Sequence, residues 1–171
     1  MVREATASDA AGIASVHIKS WQAAYEGKSP QGFLDRLDPA QRTDAWRHHF
    51  ATLELSRETV LVGLIRTEIV GFTNIGPSRN EDAKVDEGEV RAIYLDPLFW
   101  GQGLGSELMS ASLDTLSRFG YAEATLWVLD ENYRARRFYE AGGWQLDDAF
   151  KSDERLGFSI SEVRYRRRLQ P

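Results

Sequence analysis

The tightest constraint on this chain is the run Gly101-Gln102-Gly103-Leu104-Gly105, set between a strand-like and a helix-like segment. Upstream, Glu89 to Leu95 is rich in Val, Ile, Tyr and Leu and reads as a largely buried strand, closed by Asp96-Pro97. Downstream, Leu104, Leu108 and Ala111 recur at helical spacing, and Met109, Leu113 and Leu116 widen the apolar stripe as far as Gly120. Ala124 to Leu129 follows as a continuous apolar strand. A strand, a turn, a helix and a strand in this order require a crossover, so the two strands are parallel neighbours. Glycines at alternate positions allow the N–H groups of residues 102 to 106 to converge on a phosphate or pyrophosphate at a helix amino terminus, where a Cβ would hold the ligand off. The same glycines also suit a plain tight turn, and the local pattern leaves both readings open.

Around this unit the pattern is antiparallel. Thr59 to Ile65 and Ile69 to Ile75 read as strands joined at Arg66-Thr67-Glu68, a hairpin. Val2 to Thr6 is a short strand leading to Ser8 and Asp9, both good helix caps, after which Ile13, Val16, His17 and Ala24 recur at helical spacing. A second helix is expected from Pro39 to Leu55, with Trp46 and Phe50 on one face. Pro77 to Glu87 reads as an exposed loop. Asn132 can cap a helix from Tyr133 to Ala141 that Gly142-Gly143 ends, and Trp144 to Leu146 and Ile160 to Leu169 supply the last strands. The sum is an α+β fold, a mixed and mostly antiparallel sheet with helices on both faces and one locally parallel pair. With 171 residues and no linker or repeat, one domain over residues 1–171 is expected.

Composition narrows the chemistry. The chain has no cysteine, which excludes disulfides, a thiolate metal site and a cysteine nucleophile. Acidic residues outnumber basic ones, 26 to 21, the wrong balance for a phosphate-backbone binder, so no nucleic-acid partner is expected. No apolar run is long enough to span a bilayer, and MVREATASDA is charged where a signal peptide is apolar, so a cytoplasmic protein without a membrane partner is expected. Two familiar phosphate loops fit the glycine run poorly. A Walker loop needs lysine where Ser106-Glu107 stands. A Rossmann fingerprint needs glycine at Ser106 and a second nucleotide-binding half, although Glu123 lies at the distance of its ribose-binding acid.

EVRAIYLDPLFWGQGLGSELM, followed by LWVLDENYRARRFYEAGGW, resembles the acyl-CoA signature of the GNAT superfamily of N-acetyltransferases. The family's pyrophosphate motif, Arg/Gln-x-x-Gly-x-Gly/Ala, is met at Gly103 and Gly105, with Trp100 in place of the first Arg or Gln. The second signature comprises Asn132, Ala135-Arg136-Arg137-Phe138-Tyr139 and Gly142-Gly143-Trp144. Likeness extends to Asp9-Ala10 near the start and Glu162-Val163-Arg164-Tyr165 near the end, and is loose over residues 26–58 and 76–87.

The resemblance implies transfer of an acetyl group from acetyl-CoA to an amine, with no metal. It implies that Gly101, Gln102, Gly103, Leu104, Gly105 and Ser106 surround the pyrophosphate. Ile93, Tyr94 and Leu95 would offer main-chain groups to pantetheine where the central strands splay. Asn132 would meet pantetheine amides and Arg137, with Arg134, the phosphates. Each has a plainer reading: a paired strand ladder, a helix cap, a solvated face. Glu89 would remove the ammonium proton, its pKa raised by burial beside Ile93 and Tyr94; Glu87, two residues away, is its rival. Tyr139 would protonate the departing thiolate or serve as a core aromatic. His17, His48 and His49 fall in helices without a partner pattern and read as packing or surface residues.

In the family the acceptor enters beside the first two helices. There Trp21, Tyr25 and Trp46 could form an aromatic wall, though packing suits at least two of them, and Glu26, Asp35 and Asp38 could attract a cationic amine. The missing cysteine favours direct attack in a ternary complex over an acyl-enzyme. Rival readings are a non-catalytic acyl-CoA-binding module, which needs neither Glu89 nor Tyr139, and a Rossmann-type domain. Nothing in the sequence chooses between a monomer and a homodimer.

Overall fold

A computed structural model describes residues 1–26, 32, 37–153 and 159–170. In chain order its elements are β1 (Val2–Glu4), α1 (Ala10–Tyr25), α2 (Pro39–Thr52), β2 (Thr59–Ile65), β3 (Glu68–Pro77), β4 (Glu87–Leu95), α3 (Leu104–Arg118), β5 (Glu123–Leu129), α4 (Tyr133–Ala141), β6 (Gln145–Asp153) and β7 (Ile160–Arg168). Short 3-10 turns precede α1 and the glycine run. The seven strands form one sheet in the order β1-β2-β3-β4-β5-β7-β6. Every neighbouring pair is antiparallel except β4 and β5, the parallel pair that the crossover demands.

Two apolar clusters sit on opposite faces of the sheet. On one, Ile13, Val16 and Trp46 of α1 and α2 pack on Val60, Val62 and Phe72; Trp46 meets Phe72 edge-on at 5.0 Å between centroids. On the other, Met109 and Leu116 of α3 and Tyr139 of α4 pack on Val90, Leu126 and Tyr165. Burying a side chain of this kind contributes about 1.5–3 kcal/mol, so these faces hold the sheet's shape. Among the described residues no helix is long and apolar enough to cross a membrane.

Two departures from the sequence reading concern strands. Glu87 belongs to β4, not to the preceding loop. The strand expected at Trp144 to Leu146 runs instead from Gln145 to Asp153. It is one of the two edge strands, one side of its ladder is unpaired, and its sequence QLDDAFKSD carries little of the apolar pattern by which strands are read.

Candidate active site

The site is built where β4 and β5 part. Their parallel pairing covers only Glu87↔Glu123, Gly88↔Ala124 and Glu89↔Thr125, whereas β4 stays paired with β3 as far as Leu95. One extra residue on β4, between the pairs Ile75↔Val90 and Asn74↔Ala92, bulges the strand just past this apex. Beyond it the strand edges diverge. The N–H of Asp96 donates to Val70 O at 2.8 Å, so the two-residue alternation turns Tyr94 N–H toward β3 and aims Ile93 and Leu95 N–H into the splay. Ile93 and Leu95 therefore present the main-chain donors expected of them, and Tyr94 does not. Leu95 O is already engaged, by Ser20 Oγ at 3.1 Å and Trp100 Nε1 at 2.9 Å.

The glycine run lies at the mouth of the splay. Gly101 and Gly103 have φ of +76° and +86°, values that exclude most side chains, and nothing lies within 4 Å of where a Cβ would stand on either. Gly103 caps α3 in this left-handed conformation, and its carbonyl accepts from the N–H groups of Ser106 (3.0 Å) and Glu107 (3.1 Å). This corrects the expected cradle: the Ser106 amide is spent inside the helix, and the donors left without a main-chain acceptor among the described residues are those of residues 101 to 105. An open, glycine-lined cradle at the amino end of a four-turn helix fits a pyrophosphate. Trp100 has its own use. Its indole N–H ties the turn to β4, and its ring is covered by the Arg134 guanidinium 3.1 Å from the centroid. Arg134 thus spans from α4 to the turn. Arg137 is exposed, as Arg134 is, but makes no such ring contact among the described residues.

Asn132 caps α4, its Oδ1 accepting from Ala135 N at 3.1 Å. Two turns on, Tyr139 is 7% exposed, with Phe138, Trp144 and Tyr165 around its ring. No hydrogen bond joins its hydroxyl to a described residue, and the oxygen is not sealed from solvent, whereas the Tyr165 hydroxyl donates to Glu140 at 2.6 Å. Burial, with a smaller push from the nearby Tyr94 phenol, raises Tyr139 above the usual tyrosine range, so it stays protonated at neutral pH.

Glu89 stands at the apex of the splay, 3% exposed. Its setting differs from the apolar one expected. Arg79 folds back from the loop after β3 and holds the carboxylate three times, through its backbone N–H (3.0 Å), Nε (3.1 Å) and a terminal nitrogen (2.8 Å). Glu87 is 2% exposed and is engaged by two elements, accepting from Arg166 of β7 at 2.7 Å and from Asn80 of the loop at 3.2 Å. Burial opposes its ionisation, but bonds from Arg166, Ser78 and Asn80 outweigh that and hold its carboxyl below the usual range. Asn80 also receives the Trp127 indole N–H at 2.8 Å, and Asp82 grips Arg164, so residues 79–82 are strapped across the face of β4, β5 and β7.

The first two helices line the same face. Trp21 and Tyr25 are half-buried with centroids 5.4 Å apart, and Trp21 Nε1 donates to Tyr94 Oη at 3.2 Å. Trp46 is a core residue and leaves the expected wall. Of the histidines, His17 stacks on Tyr94 at 5.1 Å, a packing role, and His48 is exposed. His49 bonds Asn74 at 3.1 Å, a partner 25 residues away that sequence spacing could not show. Arg79 and Asn80 were missed for the same reason: they sat in a polar loop with no motif. Of the acidic residues expected to draw a cation, Glu26 is exposed, Asp38 caps α2 by accepting from Ala40 N at 2.8 Å, and Asp35 lies outside the described residues.

Comparison with known proteins agrees with this geometry. The profile of the acetyltransferase (GNAT) family matches residues 18–144. The uncharacterized N-acetyltransferase YuaI of Bacillus subtilis is 32% identical over 134 residues, 77% of this chain and 72% of that one. The chain belongs to the GNAT family of acetyltransferases. Its fold is shared with the PaiA N-acetyltransferase of Thermoplasma acidophilum, a coenzyme A complex (TM-score 0.75, 16% identity, covering 98% of each chain). It is likewise shared with yncA of Salmonella typhimurium, a putative acetyltransferase solved with acetyl-CoA (TM-score 0.71, 21% identity, covering 99% of this chain and 94% of that one).

Proposed function

We propose that the protein transfers an acetyl group from acetyl-CoA to an amine by direct attack in a ternary complex. The observation that carries this reading is the splay itself: where β4 parts from β5 the N–H groups of Ile93 and Leu95 turn away from β3, the open glycine turn follows at the end of β4, and Tyr139 packs in the cluster that Ile93 joins. The coenzyme A and acetyl-CoA complexes of the two structural neighbours support the same use of the groove. Bound there, acetyl-CoA supplies an activated acetyl group.

The chain's own residues do the rest. The amides of residues 101 to 105 hold the pyrophosphate, Arg134 adds a positive charge beside them, and Asn132 reaches the pantetheine arm. Ile93 and Leu95 N–H fix the acyl end between the strands, where few competing donors remain. Tyr139, kept protonated by burial, gives its proton to the leaving sulfur. Glu89 receives the proton of the attacking amine through a water, because Arg79 already covers much of its carboxylate. Glu87, locked by Arg166 and Asn80, organises the strap. A binding-only module needs no such unbonded phenol.

The test is thiol release from acetyl-CoA across a panel of amines. Glu89→Gln is expected to lower turnover by about 10²–10⁴ with acetyl-CoA affinity nearly unchanged. Turnover within threefold of the parent, about the spread of a surface change, removes the base role from Glu89.

A further inference from the structure

The charges on the acceptor side run opposite to those of a site for cations. Both central carboxylates are already neutralised, Glu89 by Arg79 and Glu87 by Arg166. Arg91 is paired with Glu58, and Arg164 with Asp82 and Asp147. Arg42 of α2 differs from all of these. It is half-buried, its guanidinium lies over the Trp21 ring at 5.7 Å from the centroid, and no carboxylate among the described residues pairs with it. A half-buried cation without a counter-ion is costly to keep, and an arginine stacked on an aromatic face is weakly hydrated and suited to grip a carboxylate with two parallel N–H bonds.

The position of Arg42 relates it to the reacting centre. Trp21, on which it stacks, donates to Tyr94 Oη, and Tyr94 belongs to the splayed stretch of β4. The positive charge is felt by His17, whose pKa is held down to about 4 by burial first and Arg42 second, and by the Tyr94 phenol itself. On its other side Tyr94 feels Glu162 of β7. The wall between is apolar and aromatic, formed by Trp21 and Tyr25.

We propose that the acceptor is an amino acid, an amine that also carries a carboxylate, and that Arg42 on the face of Trp21 determines this specificity by binding the carboxylate. The proposal rests on the acetyl-CoA N-acetyltransferase reading and narrows it. The aromatic wall directs the preference toward apolar or aromatic side chains. It also argues against a polycationic acceptor, since the negative groups at the centre are spoken for.

The experiment is steady-state acetylation of the twenty protein amino acids, of tryptamine and phenethylamine as decarboxylated counterparts, and of spermidine. At least one apolar or aromatic amino acid is expected to exceed its decarboxylated counterpart in kcat/KM by about 10- to 100-fold, the worth of a charge-assisted pair. Arg42→Gln should reduce that ratio to within about threefold by raising KM for the amino acid, with kcat and the acetyl-CoA melting shift retained, and Arg42→Lys should restore part of it. The proposal is overturned if tryptamine or spermidine is acetylated as well as any amino acid, if no amino acid is acetylated, or if Arg42→Gln leaves the ratio unchanged. A protein whose melting does not respond to acetyl-CoA at all fails at the underlying reading instead.

Discussion

Tyr139 is the residue at which packing and chemistry are hardest to separate, because the same ring does both. It fills the space between Phe138, Trp144 and Tyr165, yet its hydroxyl bonds to none of them. Tyr139→Phe keeps the ring and removes only that hydroxyl. Since no hydrogen bond is lost, melting should shift by less than the ~1 kcal/mol typical of such a loss. Turnover should fall about 10²-fold with acetyl-CoA binding unchanged, and single-turnover kinetics places the loss in the chemical step rather than product release. An unchanged chemical step leaves Tyr139 a packing residue. The sequence exposed Tyr139 and Asn132 because both lie on one short helix with clear ends, where spacing is position. It could not expose Arg79 on Glu89 or His49 on Asn74, pairs made by a loop and a helix folding onto a distant strand. The apolar setting expected for Glu89 failed for this reason: Ile93 and Tyr94 farther along β4 are apolar, but the neighbour in space is a guanidinium.

At the scale of elements, the helices were legible and the sheet only partly so. The ends of α4 at Tyr133 and Ala141 follow from Asn132 and Gly142-Gly143, and the β2–β3 hairpin follows from its apolar runs. The splay was legible only through the family resemblance and not in the pattern of the strands, because it depends on where β5 stops pairing with β4. Likewise β6 is polar along most of its length. One cap can be tested directly. Asp9, beside the start of α1, accepts two bonds from Arg3 at 2.8 Å and one from Thr6 N at 2.8 Å, and Arg3 above all holds its carboxyl down at about 2. A carboxyl depressed in the folded state stabilises it above the unfolded pKa of about 3.9 and ceases to do so as pH falls through the folded value. The urea midpoints of the parent and Asp9→Asn should therefore differ by a steady amount above about pH 4 and converge as pH falls toward 2. A difference that persists at pH 2 assigns the effect to packing instead.

The whole molecule is a sheet split at its centre, with its two faces given different tasks. The face of α3 and α4 carries the glycine turn, Asn132 and Tyr139. The opposite face carries Glu89, the arginine strap and the aromatic wall of α1. The two meet only where β4 and β5 diverge, so donor and acceptor can approach one point from opposite faces. This arrangement stands or falls with the donor's place in the cradle, and thermal melting in the presence of acetyl-CoA, CoA, NAD and ATP tests it most directly. Acetyl-CoA and CoA should raise the melting temperature by linkage, and NAD and ATP should not. Gly105 has room for a side chain, the nearest atom to an added Cβ being 3.7 Å away on Phe138, and an acidic residue suits the first turn of a helix. Gly105→Asp should therefore keep the unliganded melting temperature and abolish the response, because it sets a negative charge against the phosphates. A response to NAD but not to acetyl-CoA, or an acetyl-CoA response undiminished in Gly105→Asp, would contradict the account.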